Sequence, residues 1–369
     1  MSSQVVQYWP LILMHLLLSS SSGATAGKVP AIIVFGDSTV DPGNNDYIPT
    51  VAKGNFPPYG RDFEGGVATG RFTNGRLVTD FMSEALGLGT SVPAYLDGSY
   101  TVDQLASGVS FASGGTGLDA MTAKLADPTR STTLTWWILP MSVISISQQL
   151  EYFKEYKERL KQAKGQAVAD EIIAEALYIF SIGTNDFFVN YYVMPLRAAK
   201  YTPTEYATYL VGLAEDAVRH AYELGARKVM LSGIPPFGCV PAARTMNRDA
   251  PGECNEEYNR VAQSYNAGVR DAVVRLGAEL AGARVVYLDV YDVPSAIFAD
   301  PSEYGFENVA RGCCGTGLIE TTVLCGMDEA FTCQDADKYV FFDSVHPSQR
   351  TYKLLADEII KTALQEFLV

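Results

Sequence analysis

A serine at the end of an apolar run, a histidine three residues after an aspartate, and an asparagine after another apolar run are the residue types of nucleophilic acyl chemistry. The serine is Ser38, in Gly36-Asp37-Ser38, directly after Ala31-Ile32-Ile33-Val34-Phe35. An apolar run of that length reads as a buried strand. In an open α/β sheet, ligands bind beyond the carboxyl ends of the strands. A hydroxyl held there needs only a base to become a nucleophile. Asp and Ser are also ordinary turn residues, so Ser38 alone decides nothing.

The shortage of bases narrows the choice. Beyond residue 26 the chain has only His220 and His346. His220 sits late in a helical pattern, beside Arg219 and before Gly225, where a cation near a helix C-terminus has a structural reason. His346 lies in Phe341-Phe342-Asp343-Ser344-Val345-His346-Pro347, an apolar run breaking into a turn. One loop can then present both side chains, with Asp343 accepting the Nδ1 proton while Nε2 faces Ser38. Asn185, in Ser181-Ile182-Gly183-Thr184-Asn185-Asp186, can aim its amide at a developing oxyanion. Gly114, in Ser113-Gly114-Gly115, has no side chain to keep its N–H from a substrate oxygen.

The elements that must position these residues alternate. Strands are expected at 31–35, 109–112, 178–182, 228–231 and 285–288. Helices are expected over 77–86, from an N-cap at Ser147 through Lys164, over 204–224, over 255–280 and over 347–368. Strands alternating with long helices imply a parallel sheet covered on both faces. No internal repeat or linker divides the pattern, so residues 28–369 read as one domain.

The chain has 369 residues, 47% of them hydrophobic, enough to bury a sizeable core. Its formal charge of -14 argues against nucleic acid, which recruits Lys and Arg, and against docking on anionic membranes. Residues 1–26 read as a secretory signal peptide: the apolar stretch Trp9 to Leu18 is too short to span a bilayer, and Ala24-Thr25-Ala26 follows as a small-residue cleavage site. The n-region lacks Lys and Arg, and a disordered or membrane-anchoring tail is the competing reading. Six cysteines, all between Cys239 and Cys333, suggest three disulfides in an exported protein. Cys239 pairs naturally with Cys254, and Cys313, Cys314, Cys325 and Cys333 leave three connectivities open. Adjacent Cys313-Cys314 with no histidine among the six is poor zinc-site spacing. No Asn-x-Ser/Thr acceptor occurs, so no N-glycosylation is expected.

Taken in order, these blocks resemble the plant GDSL esterase/lipase group of the SGNH hydrolase superfamily. The matching stretches are Phe35-Gly36-Asp37-Ser38 with Val40-Asp41-Pro42-Gly43-Asn44-Asn45, then Gly108 to Gly115, Gly183-Thr184-Asn185-Asp186 and Asp343-Ser344-Val345-His346-Pro347. Pro57-Pro58-Tyr59-Gly60, Pro236-Phe237-Gly238-Cys239 and Gly312-Cys313-Cys314-Gly315 extend the likeness over essentially the whole mature chain. The leucine of the family's name is Thr39 here.

The resemblance implies an α/β, three-layer α/β/α flavodoxin-like fold with a five-stranded parallel sheet. It implies Ser38 as nucleophile, Asp343 and His346 completing the triad, and Ser38, Gly114 and Asn185 as oxyanion donors. No metal or cofactor is expected. The expected activity is hydrolysis of carboxylic esters by a secreted, monomeric serine esterase or lipase, with lipid esters, acetylated wall polysaccharides and small plant esters all compatible. An extracellular acyltransferase shares every named residue, and a catalytically silent wall-binding protein predicts a damaged triad that is not seen. Residues 127–140, which carry Trp136-Trp137-Ile138-Leu139, read as an insertion, either translated intron sequence or an apolar flap beside the acyl site.

Overall fold

Residues 29–125, 142–326 and 331–368 are described by a computed structural model. The expected signal peptide and the expected insertion lie outside them.

The three inner strands of the main sheet are short and mainly apolar because both of their faces are covered. Strand β1 (Ile32–Gly36) is buried along its whole length. Its alternate residues Ile33 and Phe35 enter one core and Ile32 and Val34 another. The remaining strands are β2 (Gly108–Ser110), β3 (Leu177–Ser181), β4 (Lys228–Ser232) and β5 (Arg284–Leu288). All neighbours are parallel, in the order β2-β1-β3-β4-β5. The chain leaves β1 toward β2 and then returns past it to β3, so the strand order reverses at β1. A crevice at the carboxyl ends of the strands follows from that reversal. Gly36 of β1 is level with Ser181 of β3, and Ser113 N–H, just past β2, donates to Gly36 C=O at 3.0 Å. Three loops therefore emerge side by side, carrying Ser38, Gly114 and Asn185.

One face of the sheet is covered by α2 (Ile146–Lys164), α4 (Pro203–Glu223) and α5 (Glu256–Glu279), the other by α1 (Val78–Ala85) and α7 (Gln349–Lys361). Helix α3 (Gln166–Glu175) and helix α6 (Asp292–Ala299) complete the long segments. The five-stranded parallel sheet between helical layers is the architecture that the alternating pattern implied.

Differences from expectation are local. The N-cap of α2 is Ser145, not Ser147: its side chain accepts from Gln148 N–H, and this start places Ile146, Gln149, Leu150 and Phe153 on one buried stripe. The last expected helix is split, because α7 starts after a Ser348 cap and stops at Thr362, followed by a 3₁₀ turn at Ala363–Phe367. A second, two-stranded parallel sheet was not anticipated. It pairs β6 (Asn308–Gly312) with β7 (Tyr339–Phe341). Beyond it Cys313 N–H and Cys314 N–H donate to the carbonyls of Phe341 and Phe342, at 3.1 and 2.8 Å. The disulfides are Cys239–Cys254, as expected, with Cys313–Cys333 and Cys314–Cys325. The adjacent Cys313 and Cys314, in the bend just past β6, thus reach different partners.

The loop after β1 is anchored by a buried ion pair. Arg71 makes a bidentate contact with Asp80, at 2.9 and 2.8 Å, and donates to Pro42 C=O at 3.2 Å. Asp80 also accepts from Leu77 N–H and Val92 N–H, both at 2.8 Å. Replacing Asp80 with Ala leaves Arg71 charged and unpaired in the interior. Chemical denaturation is expected to show a stability loss of about 3–5 kcal/mol.

Candidate active site

Ser38 is held by its neighbours on both sides. Before it, the end of β1 is bracketed by one side chain of α2: Gln149 Oε1 accepts from Gly36 N–H and Gln149 Nε2 donates to Gly36 C=O, each at 2.9 Å. A Cβ on Gly36 would lie 2.2 Å from Ser181 C=O, so only glycine lets β1 and β3 approach this closely. After it, Asp37 Oδ1 accepts from Thr39 N–H at 2.9 Å and Thr39 Oγ1 at 2.8 Å, and Val40 N–H closes the turn on Asp37 C=O at 3.2 Å.

His346 comes from the loop after β7. Phe342 N–H donates to His346 C=O at 2.8 Å, folding Asp343 to His346 into a tight turn. Within it Asp343 Oδ1 accepts from Val345 N–H and His346 N–H, at 2.8 and 2.7 Å. The Asp343 Oδ2 to His346 Nδ1 distance is 2.7 Å, and His346 Nε2 to Ser38 Oγ is also 2.7 Å. The imidazole stacks on Phe72, with ring centroids 5.2 Å apart. Burial pushes the Asp343 carboxyl up, but His346, Tyr59 and the backbone amide of His346 outweigh it and hold it below the ordinary carboxylate range. The group nearest the imidazole is thus an anion, suited to fixing the Nδ1–H tautomer and stabilising an imidazolium.

The other expected residues are placed differently from one another. Asn185 stands beside Ser38 on the cleft wall and spends one amide hydrogen on Thr116 C=O at 2.9 Å, leaving the other. Gly114 is fully engaged: its N–H donates to Asp41 Oδ2 at 2.9 Å and its C=O accepts from Asn45 Nδ2 at 2.9 Å. Its lack of a side chain serves a different purpose from the expected one, since a Cβ would lie 2.5 Å from the Phe72 ring. The next residue, Gly115, is half-exposed with φ +87°, and its N–H meets no acceptor among the described residues. The same holds for Ser38 N–H. His220 lies in the last turn of α4, away from this cleft.

Tyr59 and Thr321 were missed as site residues. Tyr59 Oη donates to Asp343 Oδ2 at 2.7 Å and Thr321 Oγ1 donates to it at 3.0 Å. Tyr59 was quoted only as part of Pro57-Pro58-Tyr59-Gly60, and nothing in that spacing shows a phenol reaching a loop near residue 343.

The cleft above Ser38 is mainly apolar, walled by Phe188, Pro235, Phe237, Val240, Phe298 and Val345. A second recess, which shares Thr39, Pro235 and Pro294 with it, lies between the sheet and helices α1 and α7, walled by Val78, Met82, Leu288 and Leu355. Among the described residues no group of His, Cys, Asp and Glu could hold a metal ion, and no helix is long and apolar enough to cross a membrane.

Tyr59→Phe removes one donor to Asp343 without opening a cavity. The expected result is about a tenfold loss in kcat/KM on an ester substrate, the size of one hydrogen bond to a charged group.

Residues 32–359 match the family described as GDSL-like lipase/acylhydrolase. Three GDSL esterase/lipases of Arabidopsis thaliana resemble the chain at 48%, 45% and 46% identity. The alignments cover 93%, 96% and 94% of this chain and 93%, 97% and 95% of the relatives. The chain therefore belongs to the GDSL lipase/acylhydrolase family and is a carboxylic ester hydrolase.

Proposed function

We propose that the protein hydrolyses esters of apolar acyl groups through an acyl-enzyme on Ser38. The observation that carries this reading is the unbroken line from Asp343 through His346 to Ser38 Oγ, both links 2.7 Å. Ser38 Oγ attacks the ester carbonyl while His346 Nε2 takes its proton and Asp343 holds the Nδ1–H. The carbonyl oxygen becomes an oxyanion, bound by Ser38 N–H, the free amide hydrogen of Asn185 and Gly115 N–H. Gly115 replaces Gly114 in this role because Gly114 N–H is spent on Asp41. The imidazolium then protonates the departing alkoxide, and the alcohol leaves. Water attacks the acyl-enzyme by the same proton path, releasing the acid and restoring Ser38.

The apolar cleft and the second recess support an acyl chain running from Ser38 past Thr39 toward Leu355. The three disulfides support an oxidising, extracellular setting, in keeping with the expected leader.

Ser38→Ala is expected to lower kcat on p-nitrophenyl butyrate by at least about 10⁴-fold and to abolish fluorophosphonate labelling. A folded variant with wild-type turnover overturns the assignment. Leu355→Phe narrows the recess. It is expected to lower kcat/KM for p-nitrophenyl decanoate at least about tenfold, the worth of lost apolar contact, while the acetate ester is unaffected. An equal fall on both esters removes the recess from the acyl path.

A further inference from the structure

The segment Asp41-Pro42-Gly43-Asn44-Asn45 contains no atom of the triad, yet Asp41, Asn44 and Asn45 are completely buried. Each of these three side chains makes at least one hydrogen bond to the backbone at the end of β2 or just beyond it. Asn44 Nδ2 donates to Ser110 C=O at 2.8 Å and to Ala112 C=O at 2.9 Å. Asp41 Oδ2 accepts from Gly114 N–H at 2.9 Å. Asn45 Nδ2 donates to Gly114 C=O at 2.9 Å and to Ala52 C=O at 2.7 Å, and Asn45 Oδ1 accepts from Ser113 Oγ.

The consequence lies in the peptide between Gly114 and Gly115. A trans peptide is planar, and its C=O and N–H point in opposite directions. With Gly114 C=O drawn inward to Asn45, the N–H of Gly115 must point away from Asn45, out of the buried side. A glycine pair flexes readily about this plane, so without the clamp the donor has no fixed aim. The far side of the loop is held independently. Asn185 Nδ2 donates to Thr116 C=O at 2.9 Å, and Asp186 Oδ2 accepts from Leu118 N–H at 2.7 Å.

We propose that Asn45, with Asp41 beside it, is the positioning residue of the oxyanion hole, aiming Gly115 N–H by fixing the Gly114 carbonyl. This rests on the acyl-enzyme reading and adds an assignment to it. Asp41 fixes the plane before Gly114 and Asn45 the plane after it, so the two together leave the Gly114 backbone no freedom. Preorganised donors cost no reorientation when charge develops, which is why their aim affects rate more than substrate binding.

Asn45→Asp tests this, since it keeps the shape and the acceptor for Ser113 but removes both donors. In single-turnover acylation by p-nitrophenyl butyrate, the rate constant is expected to fall about 100-fold, as for the loss of one oxyanion donor. The apparent ester dissociation constant should stay near wild type. The affinity of an alkylboronate, which forms a tetrahedral adduct on Ser38, should weaken in parallel with the rate. A merely structural role would not move boronate affinity and acylation rate together while sparing ester binding. A folded Asn45→Asp protein with wild-type acylation and boronate affinity overturns the proposal.

Ser113→Ala loosens the same amide from its other end and guards against a misfolded first variant. It is expected to lose about three- to tenfold on both readouts, the worth of one neutral hydrogen bond. Wild-type values there overturn the proposal whatever Asn45→Asp does. Retained turnover in Ser38→Ala would instead sink the acyl-enzyme reading underneath it.

Discussion

The hydrogen bond between Ser38 Oγ and His346 Nε2 joins residues 308 positions apart, and most of the fold is needed to make it. Ser38 arrives from β1, the strand at which the order of the main sheet reverses, His346 from a turn that follows the second, smaller sheet. Neither end can wander, because each is held by buried hydrogen bonds. On the serine side Gln149 satisfies both backbone groups of Gly36. On the histidine side Asp343 Oδ1 takes two backbone amides while its other oxygen takes the imidazole, Tyr59 and Thr321. Hydrogen bonds and the neighbouring imidazole hold this carboxyl below the ordinary range despite burial, which suits it to the tautomer the proposed acyl-enzyme step uses.

The same logic extends to the loops around Ser38. Asp41, Asn44, Asn45 and Asp186 are buried polar side chains whose bonds run largely to backbone groups of the 110–119 stretch. Burying such groups is costly unless their partners are complete, and the arrangement turns that requirement into rigidity. Burial pushes the carboxyls of both Asp41 and Asp186 up to about 7 against the hydrogen bonds that pull them down. A loop rich in glycine would otherwise be the most mobile part of the site. Phe72 links the two halves, stacking on His346 and occupying the space that a side chain on Gly114 would need.

Much of the architecture was legible because its signals are local. Apolar runs marked all five strands of the main sheet, and helical periodicity marked the helices that cover it. The missed strands lack such a signal. β6, Asn-Val-Ala-Arg-Gly, is half-exposed and neither alternating nor continuously apolar, and β7 is only three residues long. The α2 cap was misplaced by two residues because Ser145 and Ser147 are equally good caps by type. Only the buried stripe that follows chooses between them.

The sequence by itself determined which residue types the proposed chemistry would use: a serine at a strand end, one usable histidine with an aspartate three residues before it, and an asparagine at another strand end. Those are questions of residue type and short spacing, which the chain states directly. Only the tertiary structure decided which amide of the glycine pair faces outward, that Tyr59 supports Asp343, and how the four later cysteines pair. Each depends on the direction of a peptide plane or a side chain relative to a segment distant in sequence. Residue types along a chain carry no such direction until the sheet, its covering helices and the buried Asp–Asn clamps fix it.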